Sequence, residues 1–316
     1  MGTLLRQENP VKQRFLIVGA ESLIGSALRD HWRQSGHEVT GTYLEGAEKA
    51  PHRLRLDLRE PPQHWPSLPD SDATILCSGI TNLDACRREP AASQLVNVTR
   101  ILDLIRCLHG RTGLLLFLSS NLVFDGSRPH RQATDPVCPQ TEYGRQKAAV
   151  ESGLSQQAVL WAIVRLTKVM HSRFALLQQW HASLRARRPI RPFSDFVCAP
   201  IPLNLVVNGL ARVAERQQTG IWQLSASRDI TYADMTRHMA TAFHLDDPLI
   251  QPVESRFVYQ AEHVPLHTTL DPTRAVQELG LMMPTPEETL ASVYPGLLSE
   301  SQSHDAECDR TSDSTH

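Results

Sequence analysis

The sequence has little that would cross-link the chain, hold a metal cluster or span a membrane. Its six cysteines form no CxxC pair, which argues against a disulfide framework or a structural zinc site. The fourteen histidines show no recognisable ligand spacing. No apolar run approaches the roughly 18 residues that cross a bilayer, and the first residues lack the apolar core of a signal peptide. We therefore expect reduced thiols, no metal and a cytoplasmic location.

An excess of charge of one sign is also absent. Lysine and arginine total 32 residues against 34 acidic residues, a formal net charge of −2. Binding to nucleic acid or to an anionic membrane surface draws on a basic surplus, so neither is an expected partner. Hydrophobic residues make up 41% of the 316 residues, which is typical of a soluble globular protein with a substantial core.

Short apolar runs alternate with helical patterns along the first half of the chain. The run Phe15–Val18 is followed by Gly19 and then by apolar residues at helical spacing. Similar extended runs occur at residues 37–43, 54–58, 74–77, 114–118 and 159–166. This alternation predicts an α/β fold with a Rossmann-type, doubly wound parallel sheet.

The remaining sequence predicts a smaller C-terminal lobe and two irregular ends. We assign residues 14–167 to a Rossmann domain and residues 168–298 mainly to a substrate-binding lobe, with some segments returning to the sheet. Within 168–298, patterns predict a helix near 203–216, a strand near 221–225 and a helix over 229–245. Residues 1–13 are expected to be flexible, and the polar segment 299–316 to be disordered.

A glycine-bounded turn lies between the first predicted strand and helix. Its sequence is Gly19-Ala-Glu-Ser-Leu-Ile-Gly25, placed where backbone amides and the helix dipole receive a pyrophosphate. Ser22 stands where a central glycine is expected. Such turns also occur in folds that bind nothing, so the surrounding residues must decide. The predicted cofactor contacts here are Gly19, Ser22, Leu23, Ile24 and Gly25.

A second constellation supplies that context. Ser120 ends a predicted strand, and Tyr143 and Lys147 open a predicted helix. A spacing of four residues places the phenol and the ammonium on one helix face, about one turn apart. Nearby positive charge favours the phenolate, so we expect a lowered Tyr143 pKa and a general acid/base at this position. Ser120 is expected to hydrogen-bond the same substrate oxygen.

These motifs resemble the extended short-chain dehydrogenase/reductases, and within them the dTDP-4-dehydrorhamnose reductase-like group. The segment Ser119-Ser-Asn-Leu-Val-Phe-Asp-Gly126 with the following Tyr-Gly-Arg-Gln-Lys is similar to that group's signature. The resemblance implies that Ser120, Tyr143 and Lys147 form a catalytic triad and that NADP or NAD is the cofactor. It implies further cofactor contacts at Asp57, Leu58, Cys77, Ser78, Gly79, Asn97, Tyr143 and Lys147. It implies substrate contacts at Thr81, Asp84, Val123, Phe124 and Lys168.

Two departures from the group's pattern leave questions open. After the second strand, Gly41, Thr42 and Tyr43 offer neither an acid for a ribose hydroxyl nor an arginine for a 2′-phosphate, so the choice between NAD and NADP is undecided. Lys168 replaces an aromatic residue that contacts the sugar in the group, which leaves the sugar open. Arg191 is a candidate contact for a diphosphate, or else part of a solvated basic segment.

The leading hypothesis is NAD(P)H-dependent reduction of a nucleotide-activated 4-keto-6-deoxysugar. A sugar-nucleotide epimerase or dehydratase of the same fold uses the same triad and remains an alternative. So does a non-catalytic, NADP-binding regulatory subunit resembling the methionine adenosyltransferase beta subunit. Family members often form dimers, so a homodimer is a further expectation.

Overall fold

The computed structural model describes residues 12–45, 50–257 and 263–297. The predicted disordered segment 299–316 lies outside the described residues, and so do residues 1–11 of the predicted flexible N-terminus. None of the helices within the described ranges is long and apolar enough to span a membrane.

Seven parallel strands form the central sheet, in the order β10-β6-β5-β4-β1-β2-β3. This order confirms the predicted Rossmann-type arrangement, because it reverses direction between β1 and β4. The strands are β1 (Arg14–Val18), β2 (Glu38–Tyr43), β3 (Arg53–Arg55), β4 (Ser71–Leu76), β5 (Thr112–Ser120), β6 (Trp161–Leu166) and β10 (Gly220–Leu224). Two small two-stranded sheets pair β7 (Lys168–Met170) with β9 (Pro200–Pro202) and β8 (Val197–Cys198) with β11 (Ile230–Thr231).

Helices cover both faces of the central sheet. They are α1 (Leu23–Gln34), α2 (Leu83–Arg88), α3 (Pro90–Gln94), α4 (Arg100–Cys107), α5 (Glu142–Ser155), α6 (Ala175–Arg185), α7 (Leu203–Glu215), α8 (Tyr232–Phe243), α9 (Thr273–Leu279) and α10 (286–297). One apolar core joins α1, α7 and α9 to the sheet, and a second joins α4 and α5 to the opposite face. Burial on both faces explains why the strands read as continuous apolar runs.

The smaller lobe has an apolar core of its own. Side chains from α6, α8, α10 and the β8–β11 pair meet there, among them Leu177, Met235 and Leu290. The predicted strand near 221–225 instead returns to the central sheet, where β10 pairs with β6. The predicted helix over 229–245 begins later, at Tyr232, because the Thr231 hydroxyl accepts a hydrogen bond from the Asp234 amide and caps it.

The third predicted strand is shorter than its pattern suggests. Residues 54–58 were expected to be extended, whereas β3 ends at Arg55. The Asp57 carboxylate accepts hydrogen bonds from the backbone and side chain of Arg59, and the Glu60 amide donates to the Asp57 carbonyl. These local bonds form a turn, which competes with continued strand pairing.

Candidate active site

The sheet register brings four loops together at one edge. Val18 pairs with Leu76, Leu76 with Phe117, and Ser120 with Leu166, so β1, β4, β5 and β6 end side by side. The carboxyl edge of a parallel sheet, at the point where the strand order reverses, is the usual ligand crevice of such folds. The residues that follow these four strands include most of the predicted site.

The turn after β1 is built around two close backbone approaches. Gly19 has a φ of +88°, and a Cβ there would lie 2.4 Å from the Ser78 Oγ. A Cβ at Gly25 would lie 2.2 Å from the Gly19 carbonyl oxygen. Both positions therefore require glycine. Gly19 needs it for its positive φ and for packing, and Gly25 needs it for packing alone. Ser78 is thereby placed against the Gly19 turn, as the sequence predicts for two cofactor loops.

Ser22 caps helix α1 from inside this turn. Its hydroxyl accepts a hydrogen bond from the Gly25 amide at 3.0 Å and donates one to the Gly19 carbonyl at 2.8 Å. The serine in place of a central glycine is thus an ordinary helix N-cap. Within the described residues, the Leu23 and Ile24 amides at the start of α1 have no hydrogen-bond acceptor. These two amides remain available to a phosphate at the N-terminus of α1, a helix of 12 residues.

Other predicted cofactor residues are engaged within the protein. The Asp57 carboxylate forms a bidentate ion pair with Arg59, which holds the pKa of that carboxyl below its usual range. Leu58 is buried in the core. Burial raises the pKa of the Cys77 thiol to about 12, so this thiol stays protonated at neutral pH.

Asn97 lies in a π-helical segment, Leu95–Thr99, between α3 and α4. Its Oδ1 accepts the Ile80 amide at 2.7 Å, and its Nδ2 donates to the Ile80 carbonyl at 2.9 Å and to the Gln146 Oε1 at 2.7 Å. A side chain predicted to contact the cofactor therefore holds the backbone just after Gly79. Gln146 connects this loop to helix α5, which carries the predicted catalytic pair.

Tyr143 and Lys147 lie one turn apart on α5, as their spacing predicts. The Lys147 Nζ donates to the Leu118 carbonyl at 2.8 Å and lies 5.5 Å from the centre of the Tyr143 ring. Burial lowers the pKa of Lys147 to about 8. The Tyr143 hydroxyl has no hydrogen-bond partner within the described part of the chain.

The expected lowering of the Tyr143 pKa is wrong for this structure. Burial, with a smaller effect from Cys86, raises the pKa of the phenol above its ordinary value. The physical reason is that desolvation disfavours the phenolate, while the Lys147 ammonium is directed to the Leu118 carbonyl. Tyr143 is therefore a protonated phenol, suited to donating a proton.

Ser120 lies at the end of β5, where the sequence places it. Its Oγ accepts the Leu122 amide at 3.2 Å and is 3.4 Å from the Asn121 Oδ1, a long and weak bond to donate. The hydroxyl proton is thus weakly held. The neighbouring Val123 and Phe124 are 0% and 4% exposed and pack against Leu270, so both side chains are largely enclosed by protein.

The remaining predicted substrate residues fall into two groups. Thr81 is exposed before α2, while Asp84 forms ion pairs with Arg87 and Arg88 of its own helix. Lys168 follows β6 two residues after Leu166, the sheet partner of Ser120, and its Nζ lies 4.8 Å from the centre of the Phe174 ring. Burial lowers the pKa of Lys168.

Arg191 is exposed beside an aromatic groove in the smaller lobe. The groove has a volume of about 390 Å³. Its walls are aliphatic, aromatic and polar side chains, among them Leu176, Gln179, Trp180, Phe193 and Tyr232. Aromatic walls with a guanidinium at the rim suit a planar base attached to phosphate.

A family model described as the RmlD substrate binding domain matches residues 13–298. The chain belongs to this family. Among similar proteins is a "probable low-salt glycan biosynthesis reductase" of Haloferax volcanii, 26% identical over 288 residues and covering 88% of this chain and 96% of that protein. The methionine adenosyltransferase 2 subunit beta of Mus musculus is 23% identical over 305 residues, covering 92% and 90%. Membership in the RmlD substrate binding domain family confirms the resemblance inferred from the motifs.

A solved structure shows the same fold. It is the dTDP-4-dehydrorhamnose reductase of Bacillus anthracis in complex with NADP, with a TM-score of 0.77 and 17% identity. The match covers 91% of this chain and 99% of that one.

Several residues at this site of the RmlD-family chain have no recognisable signal in the sequence. Gln146 stands between Tyr143 and Lys147, yet nothing in a helix pattern shows that its amide bonds Asn97 and Ser93. Arg53 contacts the Tyr43 ring from a three-residue strand, a contact that no spacing rule predicts.

Proposed function

We propose that the protein is an NAD(P)H-dependent reductase of a nucleotide-activated keto sugar. The observation that carries this proposal is the position of Ser120, Tyr143 and Lys147 at the carboxyl edge of the sheet, beside the Gly19 turn. A protonated phenol, a weakly held hydroxyl and an ammonium at one edge suit proton delivery to a carbonyl oxygen. The similarity to curated reductases supports it.

The turn after β1 fits a dinucleotide. Gly19 leaves space where a Cβ would meet Ser78. The Leu23 and Ile24 amides, at the start of α1, have no acceptor within the described residues. These two amides would hold the pyrophosphate, and Lys147 would hold the nicotinamide ribose. When bound, the reduced cofactor supplies the hydride. The structure of a similar reductase in complex with NADP supports the assignment.

Three side chains would act on or near the carbonyl oxygen, one as proton donor, one as hydrogen-bond donor and one as a stabilising charge. Tyr143 donates its proton to the oxygen as negative charge develops there, and its high pKa keeps that proton in place before the reaction. Ser120 donates a hydrogen bond to the same oxygen, exchanging its weak bond to Asn121 for a stronger one. Lys147, charged below pH about 8, stabilises the phenolate that remains after transfer.

The smaller lobe supplies the substrate contacts. The aromatic groove beside Arg191 would receive the nucleotide base, with the guanidinium near the diphosphate. Lys168, next to the end of β6, would meet an anionic or hydroxyl-bearing part of the sugar. We favour a 4-keto-6-deoxysugar because curated relatives include a dTDP-4-dehydrorhamnose reductase, 30% identical over 143 residues.

A regulatory role is the second candidate. The similarity to methionine adenosyltransferase 2 subunit beta extends over 92% of the chain, so a relative of nearly full coverage is named as the subunit of an enzyme. That alternative predicts cofactor binding without turnover.

Titration separates these candidates. The purified protein is titrated calorimetrically with NADH and with NADPH, and absorbance of the reduced nicotinamide is then followed after addition of dTDP-4-keto-6-deoxyglucose. Binding followed by substrate-dependent oxidation is the expected result. Binding without oxidation of any tested keto sugar nucleotide favours the regulatory role, and absence of binding contradicts both.

A further inference from the structure

Two guanidinium groups surround the tyrosine that ends β2. Tyr43 occupies the last position of that strand, where dinucleotide-binding folds place the residue that recognises the adenosine ribose. The phenol ring is 3% exposed, and the Arg53 guanidinium carbon lies 3.5 Å from its centre. A guanidinium is thus fixed beside the expected ribose position from the neighbouring strand β3.

Arg53 differs from the other arginines of this region. Arg55 pairs with Glu60 and Arg59 with Asp57. Arg53 pairs with no carboxylate among the described residues, and its buried Nε has no hydrogen-bond partner there. A buried guanidinium nitrogen without an acceptor is unfavourable, and an anion bound to the same guanidinium would offset that cost.

Arg29 approaches the same tyrosine from helix α1. Its Nη1 donates to the Tyr43 hydroxyl at 3.4 Å and lies 3.5 Å from the Ala20 carbonyl oxygen, inside the Gly19 turn. Its Nε donates to the exposed carboxylate of Asp30 at 2.9 Å. One guanidinium therefore covers the face of the phenol and another lies at its hydroxyl.

We propose that Arg53 and Arg29 form a site for the 2′-phosphate of NADP, making NADPH the preferred cofactor. The inference deepens the proposed function, since it requires a dinucleotide at this edge. Arginine forks match phosphate oxygens, and a neutral tyrosine replaces the acid that would repel them. Two carboxylates face this region, and both are exposed and screened by solvent: Asp30, bonded to the Arg29 Nε, and Glu21, which accepts the Leu44 amide at 3.4 Å.

Binding of oxidised cofactors tests the inference without any turnover. Dissociation constants for NADP⁺ and NAD⁺ are measured by calorimetry, and those of adenosine 2′,5′-bisphosphate and 5′-AMP are measured as matched fragments. We expect NADP⁺ to bind about tenfold or more tightly than NAD⁺, as one or two charge-assisted contacts imply. The bisphosphate should exceed 5′-AMP by a similar factor.

Substitutions then locate the discrimination. Arg53→Gln should remove most of the preference for NADP⁺ while leaving the NAD⁺ constant unchanged, and Arg53→Lys should retain part of it. Retained NAD⁺ binding shows that each variant is folded. Arg33→Gln removes the same charge from the exposed last turn of α1 and should change neither constant.

Each contrary outcome is distinct. Equal affinity for NADP⁺ and NAD⁺, or an Arg53→Gln variant that weakens both cofactors equally, overturns the 2′-phosphate site and leaves the reductase proposal standing. Binding of neither cofactor overturns the reductase proposal together with this inference.

Discussion

The two sides of the crevice use their polar side chains differently. On the cofactor side, Ser22, Asn97 and Asp57 bond to backbone or to neighbouring side chains of the same domain. On the substrate side, Lys168 and Arg191 lie beside aromatic rings, and neither pairs with a carboxylate in the described ranges. These three side chains of the first side are engaged within the protein, whereas the two cations of the second side have no acidic partner there.

This difference separates side chains that hold the backbone of the site from side chains that are open to a ligand. Internal hydrogen bonds make the cofactor edge rigid, because each lost partner leaves a buried polar group unsatisfied. Lys168 and Arg191 have no such internal hydrogen bonds to carboxylates, so we expect their replacement to change ligand binding more than the geometry of the site. Four substitutions or conditions test the comparison, in order of decreasing effect.

The largest effect is expected from Tyr143→Phe, which removes the only transferable proton of that side chain. Turnover should fall by about 100- to 10,000-fold, the usual contribution of a positioned acid. NADPH affinity should stay unchanged, as measured by calorimetry on the same preparation. Tyr294→Phe, a buried tyrosine of the smaller lobe, is the matched control and should keep its activity. Full activity of Tyr143→Phe would refute its assignment as the acid.

The pH profile tests Lys147 on the rigid side. Its pKa is lowered to about 8, so the ammonium is present below that pH and is lost as pH rises through it. Initial rates should therefore decline above pH 8, by about tenfold per unit well beyond it. In Lys147→Arg the guanidinium stays charged, so this alkaline decline should disappear even at a lower maximum rate. An identical decline in both proteins would assign it to another group.

Lys168→Met tests the substrate side. Loss of one charge near the sugar should raise KM for the nucleotide sugar by about tenfold while kcat and NADPH affinity hold. Lys12→Met removes the charge of an exposed lysine that is distant from Lys168 in the sequence, and it serves as the control for the lost charge. Unchanged KM, or equal loss of NADPH affinity, would show that Lys168 does not contact the substrate.

The smallest effect is expected from Ser22→Ala, which deletes the N-cap of α1. The free energy of unfolding in urea should decrease by about 1 kcal/mol, and Ser22→Gly should lower it by only a few tenths. Ser35→Ala, at the exposed end of α1, controls for loss of a hydroxyl. If Ser22→Ala abolished NADPH binding without loss of stability, the serine would be a phosphate ligand rather than a cap.

Much of the fold could be predicted from the sequence, and less of the site. Apolar periodicity located six of the sheet strands and overran the end of one, β3, because burial on both faces leaves a continuous apolar signal. It did not place the strand near 221–225 in the central sheet, because its pairing with β6 joins residues far apart in the chain, such as Gly220 and Ala162. The spacing of Tyr143 and Lys147 was readable because a helix has a fixed pitch.

Sequence patterns alone were enough to predict the order of strands and helices, the glycines of the first turn and the tyrosine–lysine pair. These features depend on local geometry and on the identity of single residues. The three-dimensional arrangement was needed to find that Ser22 caps a helix, that burial raises rather than lowers the Tyr143 pKa, and that Arg53 contacts Tyr43. These outcomes depend on desolvation and on contacts between segments distant in the chain, which no local pattern encodes.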